Sequence, residues 1–331
     1  MNGLKLKKEQ FIFICEYEQA ETKKILLQWF RIAVVTGGNK GLGLEICKQL
    51  AKDVMVVLTA RDEKRGADVV AELHSCGLSD VVFHQLDVTF PASIASLANF
   101  VDTRFGKLNI LVNNAGVITN NIDEEFFSNF NLLTEKIGEK AYKKAYEKGT
   151  QYSKKVVPQT YEGARKCLET NYYGAKHVTQ ALLPLLLKST FPKIVNISSK
   201  LAQLQYVQDE GAKKILSDVD GLTEEVVDGV MSEYLKDAKD QESMEKKGWS
   251  NIVSSYVISK AALNAYTRIL AKKYPFLSAN AITPGYLATD FTSSKGIFTV
   301  EEGARGPVRL ALIPGGGPSG QYFFQMEKST F

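Results

Sequence analysis

A short apolar strand that runs through closely spaced glycines into a helix constrains this chain more than any other stretch. Arg31-Ile-Ala-Val-Val-Thr36 is apolar throughout its interior. Gly37-Gly-Asn-Lys-Gly41-Leu-Gly43 follows, and then the helical pattern Leu44-Glu-Ile-Cys-Lys-Gln-Leu50. A strand feeding a helix through such a loop is the setting of a dinucleotide site. Gly37 permits the tight turn, Gly41 lets a pyrophosphate approach the backbone, and Gly43 allows close helix–strand packing. The helix N-terminus then faces the phosphates. An ordinary βα turn rarely needs glycines so placed.

The next units extend the pattern. Val54-Met-Val-Val-Leu-Thr59 reads as a second strand ending at Ala60-Arg61. A site for NAD would carry an acid there to hold the ribose hydroxyls. Ala60 has none, Arg61 offers a fork for a 2′-phosphate, and Lys40 can reach the same place, so NADPH/NADP+ is the expected cofactor. Val81-Val-Phe-His-Gln-Leu86 is a third strand. Asp87 after it is placed either to accept from an adenine amino group, with Val88 against the ring, or to cap the following turn. His84, within the strand, reads as structural. Pro91 to about Phe105 is an amphipathic helix, and Leu108-Asn-Ile-Leu-Val112 a fourth strand leading into Asn113-Asn-Ala-Gly116.

Much further on, Ser254-Ser-Tyr256-Val-Ile-Ser-Lys260 opens an apolar-periodic segment that runs to about Tyr274. On a helix, Tyr256 and Lys260 share a face. A cation beside a phenol favours the phenolate, and a tyrosine so tuned can exchange a proton with a ketone oxygen. Alone the spacing is weak, because a solvated lysine near a half-buried tyrosine is common on helices.

In their order along residues 31 to about 290, these pieces resemble the short-chain dehydrogenase/reductase family. They are Thr36-Gly-Gly-Asn-Lys-Gly-Leu-Gly43, Asp87, Asn113-Asn-Ala-Gly116, Asn171, Ser199, Tyr256-x-x-x-Lys260 and Pro284-Gly285. Longer phrases such as Val82-Phe-His-Gln-Leu-Asp-Val-Thr89 and Leu263-Asn-Ala-Tyr-Thr-Arg268 are similar to the family's plant alkaloid and terpenoid ketone reductases and its monomeric carbonyl reductases. The resemblance implies an α/β, doubly wound Rossmann fold: a mostly parallel seven-stranded sheet with helices on both faces, and helical insertions before Asn171 and before Tyr256.

It also assigns roles. The catalytic set is Asn171, Ser199, Tyr256 and Lys260. Tyr256 gives the proton, Ser199 stabilises the developing oxyanion, Lys260 holds the nicotinamide ribose and depresses the Tyr256 pKa, and Asn171 holds a water that links Lys260 to solvent. Cofactor contacts fall on Gly37, Asn39, Lys40, Gly41, Leu42, Gly43, Arg61, Asp87, Val88, Asn114, Ala115, Gly116, Tyr256, Lys260, Pro284, Gly285 and Thr289. Ser198 and Ser199 lie on opposite faces of their strand, and the family pattern selects Ser199. The activity implied is NADPH-dependent reduction of a bulky ketone to a secondary alcohol. Reduction of an enone C=C bond and a catalytically inactive NADP(H)-binding protein are the alternatives; the intact catalytic set argues against the inactive protein, and Tyr256, which relatives that reduce C=C bonds tend to replace, argues against the enone reductase.

Composition agrees. The 331 residues, 44 % hydrophobic and 24 % charged with formal net charge +4, suit a large soluble core and suggest no nucleic-acid or membrane partner. Cys15, Cys47, Cys76 and Cys167 show no metal-like pairing and read as thiols of a reducing, cytoplasmic compartment. No metal site is expected. Residues 1–30 have too short an apolar core for a secretory signal and too many acids for a transit peptide, so they read as a poorly ordered extension to a single domain over 31–331.

The insertion before Tyr256 carries one apolar-periodic helix from about Thr223 to Lys239. By resemblance it covers the face that short members use to dimerise, which predicts a monomer. Tyr206, Val207, Phe126, Phe127 and Trp249 are candidates to line the substrate pocket, though each could equally be core. Two departures from the pattern stand out. Lys200 directly follows Ser199 where a glycine is expected shortly after, and Ala51-Lys-Asp-Val54 lacks a helix-ending glycine.

Overall fold

The computed structural model describes residues 31–119, 159–249, 253–294 and 296–331. The N-terminal extension, Phe126 and Phe127 lie outside them. The sheet forms from β1 (Ile32–Val35), β2 (Met55–Ala60), β3 (Val81–Gln85), β4 (Ile110–Asn113), β5 (Lys193–Ile197), β6 (Ser278–Thr283), β7 (Tyr322–Phe324) and β8 (Glu327–Ser329). Its order is β3-β2-β1-β4-β5-β6-β7-β8. Every pairing is parallel except β7 with β8. Among the described residues the expected seven strands are therefore eight. Glu327–Ser329 has no apolar pattern of its own and becomes a strand only by folding back on β7.

Successive residues of β1 serve opposite faces, as a pleated strand requires. Ile32 and Val34 enter one core, and Ala33 and Val35 the other. Helices cover both faces. They are α1 (Gly41–Leu50), α2 (Glu63–Ser75), α3 (Pro91–Phe105), α4 (Tyr161–Leu168), α5 (Ala175–Leu186), α6 (Glu210–Ser217), α7 (Glu224–Asp237), α8 (Gln241–Lys246), α9 (Ser254–Lys273) and α10 (Val300–Leu312). The strand order reverses direction between β1 and β4, and a doubly wound sheet places its ligand crevice beyond that point. Without a terminal glycine, α1 closes through Ala51, whose N–H donates to Cys47 O, while Val54 N returns to Leu50 O.

The insertion before Tyr256 forms α6 to α8. Thr223 caps α7 by accepting from Val226 N. This helix docks on the domain by polar contacts as well as apolar ones. Asp228 accepts from Tyr172 at 2.8 Å and from Lys176 at 2.7 Å, and the Tyr234 hydroxyl meets Ser254 at 2.8 Å. Tyr206, Val207 and Trp249 are not pocket walls. All three are buried in the core beneath the insertion, where Trp249 donates to Asp237 at 3.0 Å and stacks edge-on against Tyr234. Large aromatics in an inserted helix had to be covered, and the domain surface covers them.

Candidate active site

The C-terminal ends of the strands open onto one cleft of about 900 Å³. Every one of the seventeen residues expected to touch a cofactor lines it, as do Ser199 and Lys200. The glycine loop forms one wall. Gly43 cannot be replaced there, because a Cβ would stand 2.3 Å from Gly37 O. Asn114 clamps the loop from below, its Nδ2 donating to Thr36 O at 2.9 Å and Gly37 O at 3.0 Å. The Thr36 hydroxyl accepts from Asn114 N and Ala115 N. Thr36 thus locks two of the expected motifs together, a role that the sequence pattern alone leaves undefined.

Arg61 stands exposed at the end of β2 with no carboxylate in the position after Thr59. Lys40 is engaged elsewhere: its Nζ meets Asp290 at 2.9 Å across the mouth of the cleft. Asp87 caps its turn, accepting from Thr89 N at 2.9 Å and Thr89 Oγ1 at 2.7 Å, while still facing the cleft. His84 packs on Phe100, as a structural residue does. Opposite the glycine loop, Gly285 adopts φ 99°, a conformation that glycine tolerates and a side chain rarely does.

The two serines separate cleanly. Ser198 is buried, and its hydroxyl donates to Asn264 at 2.6 Å. Ser199 faces the cleft beside Tyr256. Burial pushes the Tyr256 phenol up to about 12, and a hydrogen bond with the Ser199 side chain pulls only partly against it. This reverses the expected direction. The phenol is governed by burial and Ser199 and not by Lys260, whose Nζ donates to Ile197 O at 2.7 Å. Burial instead lowers Lys260 itself to about 8.

Asn171 lies in a π-helical stretch, Glu169–Gly174, between α4 and α5. Such bulges are common at functional sites because they turn one side chain off the helical register. Its amide grips Val117 at both ends, Val117 N donating to Oδ1 at 2.8 Å and Nδ2 donating to Val117 O at 2.9 Å. A Cβ on Gly116 would lie 3.3 Å from Asn171 Oδ1 and 3.4 Å from Lys260 Nζ. The two residues therefore converge on the same small gap, which a glycine keeps open.

The remaining walls are apolar and carry no sequence motif. Leu201, Tyr286, Leu287, Phe291, Ile297, Phe298 and Phe324 all face the cleft. The Phe291 ring stands 5.9 Å from that of Tyr256. Lys200 points across the wall, with Nζ 5.2 Å over the Phe324 ring.

The profile of the family described as short chain dehydrogenase matches residues 31–135. Short-chain dehydrogenase/reductase 1 of Saponaria officinalis is 49 % identical, covering 94 % of this chain and 99 % of its own. The chain belongs to the short-chain dehydrogenase/reductase family. Among solved structures, salutaridine reductase from Papaver somniferum superposes with a TM-score of 0.78 at 47 % identity, covering 89 % of this chain and 99 % of its own. Menthone neomenthol reductase from Mentha piperita gives 0.77 at 44 %, covering 90 % of this chain and all of its own. The chain is accordingly an NADP(H)-dependent oxidoreductase of this family. The cleft fits that cofactor, offering free helix N–H groups at α1 for a pyrophosphate and a guanidinium where an acid would exclude a 2′-phosphate.

Proposed function

We propose that the protein reduces a ketone to a secondary alcohol, acting on a bulky, largely apolar ring ketone of terpenoid or alkaloid type. The observation that carries this reading is the convergence of Ser199, Tyr256 and Lys260 on a cleft whose outer half is walled by aliphatic and aromatic side chains. The names of the solved relatives point to the same substrate class.

NADPH, when bound, supplies the hydride. The chain's own residues do the rest. Tyr256, protonated throughout the physiological range, is the acid that delivers a proton to the carbonyl oxygen. Ser199 donates to the same oxygen as negative charge grows on it. Lys260, beneath them, is placed to hold the cofactor ribose and, with Asn171 across the gap at Gly116, to return a proton toward Tyr256. Arg61 binds the 2′-phosphate. Burying the reacting centre among apolar walls excludes competing water.

The protein is read as a monomer, because α7 occupies the outer surfaces of α4 and α9. Among the described residues no helix is long and apolar enough to cross a membrane, and Cys47, Cys76 and Cys167 are free thiols. Those thiols support a reducing, cytoplasmic location.

The deciding experiment follows loss of NADPH absorbance against cyclic monoterpenoid ketones, alkaloid ketones and simple aromatic carbonyls and quinones. Turnover of a bulky ketone that is lost in Tyr256→Phe supports the proposal. Tight NADPH binding with no turnover across the panel would count against it.

A further inference from the structure

Tyr322 stands outside every role assigned above. It opens β7 and is buried, and its hydroxyl makes two hydrogen bonds. It donates to the carbonyl oxygen of Ser199 at 3.0 Å. With its one proton used there, it accepts from Thr283 Oγ1 at 2.6 Å. These partners belong to the two loops that meet at the reacting centre. Ser199 begins the turn after β5, and Thr283 ends β6 immediately before Pro284-Gly285.

The sheet ties the two strands as far as the register Ile197 with Ile282 and the bond from Ser198 N to Ile282 O. Beyond that point the ladder stops and the Tyr322 phenol continues the tie. Ser199 is sensitive to such a restraint. Its backbone is extended, with φ −147° and ψ 153°. Its carbonyl is gripped by Ala202 N at 3.0 Å as well as by Tyr322. Its hydroxyl oxygen accepts from Leu201 N at 3.2 Å, which leaves the hydroxyl proton for the cleft.

Tyr322 is itself held in place. Its ring lies 5.6 Å from that of Phe331, and the Arg268 guanidinium stacks on Phe331 at 3.6 Å. Arg268 belongs to α9, the helix that carries Tyr256 and Lys260. The next turn of the hairpin adds a second tie, as Gln325 N donates to Thr283 O at 2.7 Å. One side chain thus sits where the serine loop, the Pro284-Gly285 loop and the catalytic helix are referred to one another.

We propose that Tyr322 is a positioning residue whose phenol holds the Ser199 hydroxyl in register with the Pro284-Gly285 loop. The inference rests on the ketone-reductase reading. It requires that losing the phenol weaken the oxyanion contact of Ser199 without weakening cofactor binding.

The test is steady-state kinetics on Tyr322→Phe, Thr283→Val, Ser199→Ala and the double variant Ser199→Ala/Tyr322→Phe, with NADPH affinity measured by fluorescence. Tyr322→Phe is expected to lower kcat about tenfold, with the ketone KM and NADPH Kd within about twofold of the parent. Thr283→Val, which leaves the bond to Ser199, is expected to lose about threefold. The double variant should be no slower than Ser199→Ala alone, because the group being positioned is already gone. A merely structural phenol would lower the melting temperature and leave kcat intact, or its effect would multiply with that of Ser199→Ala. Either result overturns the proposal. Should Tyr322→Phe fail to fold, Thr283→Val combined with Ser199→Ala carries the same test, and multiplying effects there overturn it. If the parent protein reduces no ketone, the reading beneath falls and this inference falls with it.

Discussion

The ammonium of Lys260 donates to the carbonyl oxygen of Ile197 at 2.7 Å, within an interior that pushes its pKa from 10.5 down to about 8. Tyr256, four residues earlier, is pushed the other way to about 12. Ketone reduction should therefore fall with rising pH through one alkaline limb centred near 8, set by Lys260, while Tyr256 keeps its proton. The same shift bears on stability. The unfolded chain holds this proton up to about 10.5 and the folded chain only to about 8, so between those values the unfolded state binds more protons. The destabilisation from this buried charge is complete below the limb and is relieved as pH rises across the window. A pH profile of kcat/KM checks the first statement; a flat profile to pH 10 would refute it.

Tyr256→Phe removes the group that delivers the proton to the carbonyl oxygen and no apolar contact. Turnover should fall about a thousandfold, since general acid catalysis typically contributes a hundred- to ten-thousandfold. NADPH binding should stay within about threefold, which fluorescence titration measures. Survival of most of the activity would remove Tyr256 from the chemistry.

Arg61→Ala should weaken NADPH by about tenfold or more and NADH hardly at all, since a charge-assisted fork is lost from the 2′-phosphate alone. Equal losses for both cofactors would exclude Arg61 from phosphate recognition.

Lys40 adds a second contrast. Its ion pair with Asp290 is exposed on both sides, and such pairs contribute little on their own. Asp290→Asn should release Lys40 toward the 2′-phosphate and tighten NADPH by about two- to threefold at low salt, with NADH unaffected. Weaker NADPH binding in that variant would instead identify the pair as a clasp over the cofactor.

What could be read from the sequence follows the range over which its signals act. The strands β1 to β4, the glycine loop and the Tyr256–Lys260 pair are encoded within a few neighbouring residues, by apolar runs or helical spacing. The features that escaped depend on partners far along the chain. Tyr322 meets Ser199 across more than a hundred residues, and β8 exists only because β7 is there to pair with it. The π-helical stretch at Asn171 joins α4 to α5, and nothing in Glu169-Thr-Asn-Tyr-Tyr-Gly174 announces it. The direction of the Tyr256 shift runs against the spacing for the same reason. Spacing shows that a lysine is near, but burial decides which effect wins.

The insertion supplies the last prediction. Asp228 on α7 is the shared acceptor for Tyr172 and for Lys176, a lysine with only 8 % of its side chain exposed. Glu224 is the next acid to that lysine, at 3.6 Å, so Asp228→Ala leaves Lys176 poorly paired and the Tyr172 hydroxyl without its acceptor. Losing hydrogen bonds to a charged group of this kind costs about 2 kcal/mol. In a domain of this size that corresponds to a fall of roughly 4 °C in melting temperature. Asp228→Asn keeps an acceptor for Tyr172 and should recover part of the loss. Because α7 lies on the outside of α9 while Tyr256 faces the cleft, kcat should stay within about twofold at temperatures where the variant is folded. A large loss of kcat with an unchanged melting temperature would mean that α7 shapes the reacting centre, and does more than cover the helices beneath it.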